Sequence, residues 1–597
     1  MQAVRIFSFI LFSTVLLAAQ ADQAARKQAS SLSISGTVLR ADTHAPLPHV
    51  QISLNGGEGD SVVHFSASSE GGGESGDDAL QMGASAGAMT DDKGHFTIAN
   101  LKPGIYLVHA SRAGLVQKNG GELGTGTIVR LASGNSQNVT ILMLAAGAIT
   151  GRVLDEHAEP MQNASVQAMH YIYTLQGRHL FPVANATTDD KGGYRLFGLK
   201  PGSYFVMAAA GGDPVESLDG GPGPVDAQAG KKAEMTVYAP RFYPNASSPD
   251  RATPVAVRAG DEAEADFDLT RVPAHKISGK ITGLTPQPSA SSSKDSERHI
   301  RYVMAMQKGV ATNSSRGTLR EDSTFEVPAV TSGRYKVMAI DTDMKSINYG
   351  FSDVVVGSED VSGIVISMNS GKANLNGVIR PDTDTKLDLS KLYVTFAPAE
   401  PESGSAESGD EMADLNFGSG AGGVAKVVSD GSFKGEVPPA TGLVYAVVGA
   451  RSGGFEDWYT SKVLLNGKDV TDSGFRVADA QRGRLEIIIS QKGGAVEGTA
   501  TDSAQKPFPN AQILAFPSDP KQRRRIDLLQ RTVADAQGRF RLRGVRPGEY
   551  VIMALEDAQE QPFTEDDFLK QNASKIQALK VGQSTVQIQL QTITAEE

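Results

Sequence analysis

The stretch TDDKGHFTIANLKPGIYLVHA, at residues 90–110, decides the fold because the chain repeats it. It returns as TDDKGGYRLFGLKPGSYFVMA at residues 188–208 and as ADAQGRFRLRGVRPGEYVIMA at residues 534–554. A stretch that recurs in this way is one supersecondary unit used several times. The chain is therefore expected to be an array of similar modules.

Each copy predicts a β-hairpin with a turn before each strand. An acidic residue followed closely by glycine predicts the first turn, because Asp bonds nearby backbone and Gly accepts a positive φ. These pairs are Asp92 with Gly94, Asp190 with Gly192, and Asp535 with Gly538. A Pro-Gly pair predicts the second turn, and a strand of period two follows it. The predicted inward positions of that strand are Tyr106, Val108 and Ala110; Tyr204, Val206 and Ala208; and Tyr550, Ile552 and Ala554.

Two weaker copies and five opening motifs complete the pattern. Residues 321–339 and 429–448 repeat the hairpin without its Pro-Gly pair, and the last strand of the second is offset by one position, which leaves its register open. The five openings are ISGTV, ITGRV, ISGKI, LNGVI and VEGTA, beginning at residues 34, 149, 277, 375 and 496. Five openings for five hairpins predict an all-β chain, a tandem array of about five small antiparallel β-sandwich domains.

The order G-x-V, then P-x-x-[NH]-[AV]-x-[VI], then T-D-x-x-G-x-[FY], then L-x-P-G-x-Y resembles the carboxypeptidase regulatory-like domain. The resemblance covers most of the chain after Ser33. Residues 242–260, 463–472 and 563–569 are similar to parts of the multi-domain versions that soil bacteria such as Acidobacteria secrete. The resemblance implies a transthyretin-like (prealbumin-like) sandwich, also called a carbohydrate-binding-like fold, and the accessory part of a carboxypeptidase rather than its catalytic part.

The openings and the composition give the predicted domain limits. After a signal peptide at 1–21, five sandwiches are expected at 32–146, 147–272, 273–370, 371–492 and 493–592. The third and fourth are the degenerate ones. Gly-, Ser- and acid-rich tracts predict an insert near 56–88 in the first module, expected to be disordered, and another near 399–423 in the fourth.

The first residues predict export. Arg5 precedes an apolar run at 6–17, and Ala19-Gln20-Ala21 is a small-x-small cleavage motif, so a Sec-type signal peptide cleaved after Ala21 is expected. No Cys follows for a lipid anchor, and no later apolar stretch is long enough for a membrane span. The mature chain is therefore expected in the periplasm or outside the cell. A net charge of −11 argues against nucleic acid as a partner.

The residues do not predict an enzyme, a metal or another cofactor. A metallocarboxypeptidase site needs His-x-x-Glu and a distant His, and none of the ten histidines has Glu three positions later. The sequence at 83–87 matches a nucleophile elbow, but its flanks are low-complexity. The Asp-x-x-Gly turns lack the further acids that a calcium loop needs.

One pair of aromatic residues is the candidate binding site. Trp458, the lone tryptophan, adjoins Tyr459, and an exposed Trp can stack on a sugar ring. A core or interface position explains it equally well. The basic run at 523–525 is expected to be a solvated loop. Two function classes remain open: a binding or adhesion array whose partner is a polysaccharide or an envelope protein, and a structural scaffold of the envelope. An accessory chain of a carboxypeptidase or other enzyme is a third, more distant alternative. The sequence gives no oligomeric state.

Overall fold

Strands make up most of the described chain. A computed structural model describes residues 32–57, 86–102, 104–118, 126–131, 136–175, 177–210, 235–284, 300–307, 314–342, 347–368, 373–384, 387–398, 425–437, 443–450, 455–481 and 483–594. The predicted signal peptide and nearly all of both predicted inserts lie outside these residues. The predicted all-β class, a tandem array of five small sandwiches, is confirmed. The domain limits stay a prediction.

The first module consists of two four-stranded sheets. Its strands are β1 (Leu32–Arg40), β2 (Gln51–Gly57), β3 (Ala86–Met89), β4 (His95–Leu101), β5 (Gly104–Ser111), β6 (Leu115–Gln117), β7 (Thr127–Leu131) and β8 (Gln137–Ala145). The sheet orders are β4-β1-β8-β6 and β3-β2-β5-β7. Ile34, Val108 and Ile141 are fully or almost fully buried between the two sheets.

The second module repeats this plan and adds short strands after its hairpin. Its strands are β9 (Gly147–Leu154), β10 (Ser165–Thr174), β11 (Gly177–Thr187), β12 (Gly193–Leu199), β13 (Gly202–Ala209), β14 (Thr236–Tyr238), β15 (Arg241–Phe242), β16 (Val255–Val257), β17 (Glu262–Glu264), β18 (Phe267–Asp268) and β19 (Arg271–Pro273). The main sheets are β11-β10-β13-β15 and β12-β9-β17, and a 3₁₀ turn spans Pro249–Arg251. Tyr204 and Phe267 are buried in its core.

The third module is one curled sheet. Its strands are β20 (His275–Thr282), β21 (Ile300–Gln307), β22 (Ser314–Leu319), β23 (Thr324–Val330), β24 (Gly333–Thr342), β25 (Ile347–Val356) and β26 (Val361–Ser367). Their order in the sheet is β25-β24-β21-β22-β23-β20-β26. Val337 near one end of the sheet and Ile281 near the other share one core, so the sheet folds over on itself.

The fourth module is a nine-stranded sheet around one core. Its strands are β27 (Ala373–Pro381), β28 (Leu392–Pro398), β29 (Ala425–Val427), β30 (Ser432–Val437), β31 (Leu443–Ala450), β32 (Tyr459–Leu465), β33 (Lys468–Asp469), β34 (Phe475–Arg476) and β35 (Leu485–Ser490). A 3₁₀ turn spans Leu389–Lys391, and an α-helix spans Val477–Gln481. The open register of β31 is settled, because Val444, Ala446 and Val448 point inward.

The fifth module carries a covering segment on one face. Its strands are β36 (Gly494–Thr501), β37 (Gln512–Pro517), β38 (Gln530–Val533), β39 (Arg539–Val545), β40 (Gly548–Leu555), β41 (Gln577–Val581) and β42 (Thr585–Ile593). A 3₁₀ turn (Ala558–Glu560) and an α-helix (Asp566–Gln571) lie between β40 and β41. Phe563 and Phe568 from this segment pack over Phe516 and Met553 on the outer face of the β37-β40 pair.

At least one strand pair in each module departs from the antiparallel expectation, and the second and fifth modules have two, with β9–β18 and β40–β42 as the additional pairs. The first strand of every module pairs in parallel with a strand at the module's end: β1 with β8, β9 with β17, β20 with β26, β27 with β35, and β36 with β42. The chain therefore enters each module at one end and leaves it near the opposite end.

The opening glycine of four of the five modules lies under an aromatic ring. A Cβ at Gly36 would fall 2.3 Å from the carbonyl oxygen of Val139 and 2.7 Å from the Phe96 ring. The same close approach joins Gly279 to Phe325, Gly377 to Phe433 and Gly498 to Phe540. A side chain at this position would displace the aromatic ring from the core, so the opening motif requires glycine.

The turn before the first hairpin strand uses a different aspartate from the one predicted. Asp91, not Asp92, accepts N–H bonds from Lys93 and His95, at 2.9 and 2.7 Å. These bonds, that of His95 most, hold the pKa of Asp91 below its usual range. In the second copy the cap is likewise Asp189 rather than Asp190, whereas in the fifth copy it is Asp535, as predicted. The cap must precede the turn because one carboxylate oxygen there reaches both amides.

The tyrosine of each clear copy ties the second turn to the core. The hydroxyl of Tyr204 donates to the carbonyl of Lys200 at 2.7 Å. Tyr106 and Tyr550 make the same bond to the residue four positions earlier, at 2.9 Å in both cases. All three rings are buried, which confirms the predicted inward face.

We expect the protein to lose stability in alkali because of its core tyrosines. Burial raises the pKa of Tyr550 to about 12 and also raises the pKa values of Tyr194 and Tyr335. The unfolded chain, with tyrosine pKa values near 10, releases these protons first, so the free energy of unfolding falls as the pH rises from about 10 to 12. Thermal melts across this pH range measure the loss of stability. The loss should be smaller in the Tyr550→Phe variant. A melting temperature that stays constant over that range would contradict the assignment.

Candidate functional site

The structure places the candidate aromatic pair at the joint between the fourth and fifth modules. Trp458 is only 5% exposed and belongs to the core of the fourth module. Tyr459 is half-buried and begins β32, and its ring approaches the position of Gly493 before the fifth module. Of the two alternatives for Trp458, this burial favours a core and interface residue over a sugar platform. Ligand binding by the pair stays a prediction.

The described residues contain no group of three His, Asp or Glu side chains that could hold a metal ion. His157 lies in an exposed turn, and His170 contacts the carbonyl of Ser203 at 3.1 Å through Nδ1. The described part of the chain also contains no helix long and apolar enough to cross a membrane.

A buried arginine joins the fourth and fifth modules. The side chain of Arg525 is 4% exposed and forms an ion pair with Asp527 at 2.6 Å in its own module. It reaches across the joint to Asp472 at 3.0 Å and to the carbonyl of Thr471 at 3.0 Å. Its guanidinium lies 4.0 Å from the centre of the Tyr445 ring. The expectation of a solvated basic loop is therefore wrong for this residue.

A second cation and a second ion pair extend the same joint. Arg546 contacts Asp472 at 3.0 Å, and Arg543 forms a two-pronged ion pair with Asp457. Although burial opposes ionisation, Arg546 and Arg525 hold the pKa of Asp472 below its usual value. A carboxylate shared by two guanidinium groups fixes the orientation of the two modules more tightly than a single flexible pair.

The fifth module also contacts the first two modules. Leu175 of the second module is buried in the apolar cluster under Phe563 and Phe568. Lys200 lies 3.8 Å from Glu560, and Lys118 of the first module lies 3.3 Å from Glu556. The array therefore folds back so that its last module meets its first two.

This arrangement creates a cleft of mixed polar and apolar lining between the first and fifth modules. Its volume is about 780 Å³. The first module contributes the ends of β7 and β8, including Gln137 and Asn138, and the fifth contributes the outer face of the β39-β36-β42 sheet. A volume in this range suits a small-molecule or short oligomer site.

The floor of the cleft is a ladder of polar side chains. Arg541, Glu497 and Gln587 lie side by side on β39, β36 and β42. Arg541 contacts Glu497 at 3.0 Å, and the amide of Gln587 donates to the other Glu497 oxygen at 2.9 Å. Thr499 carries Arg539 and Gln589 on either side in the next row. These groups offer donors and acceptors in fixed positions, which suits hydrogen bonding to a polar ligand.

Sequence reasoning missed this cleft. Its floor residues Arg541, Glu497 and Gln587 are outward-facing polar side chains on strands, which by themselves indicate a solvated sheet face, and apolar residues such as Ile128 and Ile588 line the cleft as well. Only the approach of two modules far apart in the chain turns that face into a cleft, and a local pattern contains no signal for such an approach.

The comparisons with known proteins identify one module directly. Residues 148–270 match the family model of the carboxypeptidase regulatory-like domain. The second module is a carboxypeptidase regulatory-like domain. The match spans the opening motif, the Asp189 turn and the Tyr204 hairpin, the features from which the family resemblance was inferred. No curated protein matched the chain in sequence.

A search of solved structures also returned matches of low similarity. The minor pilin GBS52 of Streptococcus agalactiae is 15% identical, over 43% of this chain and 100% of the pilin, with a TM-score of 0.20. The shaft pilin SpaA of Lactobacillus rhamnosus GG is 14% identical, over 43% and 100%, with a TM-score of 0.16. The TIE protein of Bacillus anthracis is 10% identical, over 91% and 68%, with a TM-score of 0.13. These values are too low for the likeness to carry an argument about this chain.

Proposed function

We propose that the protein is an exported, non-catalytic binding array that holds a hydroxyl-rich polymer, such as a polysaccharide, in the cleft between its first and fifth modules. The observation that carries this proposal is the polar floor of the cleft, with Arg541, Glu497 and Gln587 joined in one row. Because the three groups hold one another in place, a ligand binds them without first ordering flexible side chains.

The chemistry of the cleft favours hydroxyl groups over a charged ligand. Guanidinium and amide groups donate to sugar oxygens, while carboxylate and amide oxygens accept from sugar hydroxyls. Arg541 is paired with Glu497 and Arg539 with Asp535, so the floor carries balanced charge. A phosphate or polyanion would be repelled by the carboxylates while it is attracted by the guanidinium groups. A neutral sugar chain can hydrogen-bond to both kinds of group.

Binding of the mature chain to a panel of soluble polysaccharides, followed by calorimetry, tests the proposal. The double variant Arg541→Ala/Gln587→Ala removes hydrogen-bonding groups from the floor and should weaken binding at least tenfold, a loss of about 1.4 kcal/mol in binding free energy. The matched control is Arg195→Ala in the second module, whose side chain is also 56% exposed and lies 3.4 Å from Glu262 on an equivalent sheet face. Binding to none of the polysaccharides, or equal binding by the double variant, would overturn the proposal.

A structural scaffold is the second candidate, and the joint around Arg525 favours it. A buried arginine that reaches from one module to an acid of the next, as Arg525 reaches Asp472, suits a protein that holds other components at a set distance. Polysaccharide binding distinguishes the two candidates, because a scaffold binds no polysaccharide through the cleft. In small-angle scattering a scaffold gives the same profile with and without polysaccharide.

A further inference from the structure

The third module has an unusual strand at the edge of its sheet. In every module, a strand runs beside the second hairpin strand (β5, β13, β24, β31 or β40). In the other four modules the strands at this place, β7, β15, β16, β34 and β41, are two to five residues long. In the third module it is β25, with ten residues.

β25 is regular along its whole length. It pairs with β24 from Gly333↔Val356 to Thr342↔Ile347 without a bulge. It stands at the end of the sheet order, so no strand in the described part of the chain pairs with its other side, although the end of β26 packs against Gly350, where a Cβ would fall 2.4 Å from the carbonyl oxygen of Ser367. The most open part of the edge is therefore the half that contains Phe351 and Val355. A ten-residue strand spans about 33 Å.

The strand lacks the features that normally keep such an edge from pairing. Its sequence, INYGFSDVVV, contains no Pro and no Lys, and Asp353 is its one charged residue. Val355 is 72% exposed and Phe351 is 38% exposed on the outer face. In the second and fifth modules the corresponding outer face is apolar too, but a segment of the same module covers it, through Phe242 in the second and Phe563 in the fifth.

We infer that β25 is a dimerisation edge, at which two copies of this chain pair β25 with β25 in antiparallel fashion about a two-fold axis. The composition of the strand favours a second copy as the occupant, because it is self-complementary. A two-fold axis perpendicular to the sheet places outer-face residues opposite outer-face residues. In the register centred on Phe351, Phe351 meets its own copy and Asp353 meets Tyr349, so the pairing buries apolar rings without opposing like charges. The only register that opposes like charges is the one centred on Asp353.

The paired edge joins two seven-stranded sheets into one continuous sheet across the dimer. Each copy contributes the same row of backbone N–H and C=O groups. The hydrogen bonds between the two strands therefore form between backbone atoms, and the side chains only select the register. Burial of Phe351 and Val355 against the partner adds apolar contact along the same line.

Sedimentation of the mature chain over a range of concentrations tests the inference. We expect a monomer–dimer equilibrium for the native chain and at least a tenfold weaker dimer for Val355→Lys, which places a cation at the edge. The matched control is Phe197→Lys in the second module, because Phe197 is 71% exposed but lies away from β25. A native chain that is monomeric throughout, or a dimer that Val355→Lys leaves intact or Phe197→Lys also abolishes, overturns the inference.

Cross-linking provides an independent measurement that does not depend on the lysine variant folding. The chain has no cysteine, so a single introduced cysteine can only pair with its copy. We expect at least one of Phe351→Cys, Ser352→Cys and Asp353→Cys to form a disulfide-linked dimer on mild oxidation. The Cα atoms of residues opposite each other at the two-fold axis lie about 4.5–5.5 Å apart, which a disulfide can span. Ser111→Cys, on the exposed end of β5, is the control. Failure of all three positions, or equal cross-linking at residue 111, contradicts the pairing.

Discussion

Tyr204→Ala is expected to destabilise the second module by about 3–5 kcal/mol. Tyr204 is 1% exposed, lies among the core side chains of its module, and donates a hydrogen bond to the carbonyl of Lys200. Removing the ring leaves a cavity under the hairpin and frees the turn that the hydroxyl holds. Hydrogen exchange of the β13 amides measures the local free energy of unfolding directly.

Two further variants separate the parts of this effect. Tyr204→Phe keeps the ring and loses only the bond to Lys200, so it should cost about 1 kcal/mol. His157→Ala alters an exposed turn of the same module and should change the stability by less than about 0.5 kcal/mol. If the β13 amides exchanged as slowly in the Tyr204→Ala variant as in the native chain, the assignment of this tyrosine to the core would be wrong.

Arg525→Met is expected to loosen the joint between the fourth and fifth modules, at a cost of roughly 3–5 kcal/mol. The substitution fills similar space but leaves Asp527, which is 12% exposed, without its cation, and removes the contacts with Asp472 and Thr471. The expected results are faster amide exchange in β33, β34 and β38 and a larger maximum dimension in small-angle scattering.

The neighbouring arginine is the control for this experiment. Arg524 is next to Arg525 in the chain but is exposed. Arg524→Met should therefore change neither the amide exchange rates nor the maximum dimension in small-angle scattering. Equal effects of the two substitutions would show that the basic run acts through its overall charge, and would count against a buried joint.

Local repeats made the strands and their inward faces predictable from sequence. The Pro-Gly turns and the tyrosine that follows each of them recur at the same spacing, and Tyr106, Tyr204 and Tyr550 are all buried. The turn residue was off by one in two copies because two adjacent aspartates satisfy the same pattern, and only the backbone direction shows that Asp91 and Asp189 reach the amides.

Contacts between modules were not predictable, for a physical reason. Arg525 stands in a run of three arginines, and nothing local distinguishes it from its solvated neighbour Arg524. Its burial depends on Asp472 and Tyr445, more than fifty residues earlier. The cleft depends likewise on two modules from opposite ends of the chain. Trp458 could not be assigned to core or surface because the residues it packs against in the fourth module are distant in sequence.

The parallel pairing of each module's first strand with a strand near its end has a mechanical consequence. A force that pulls the two ends of a module apart runs along these strands in opposite directions, so it loads all the hydrogen bonds of the β1–β8 or β36–β42 ladder at the same time. Ladders loaded in this shearing geometry must break many bonds together, whereas a ladder pulled from one end opens bond by bond. Each module is therefore built to resist stretching along the chain in a sequence that has no cysteine and so no disulfide.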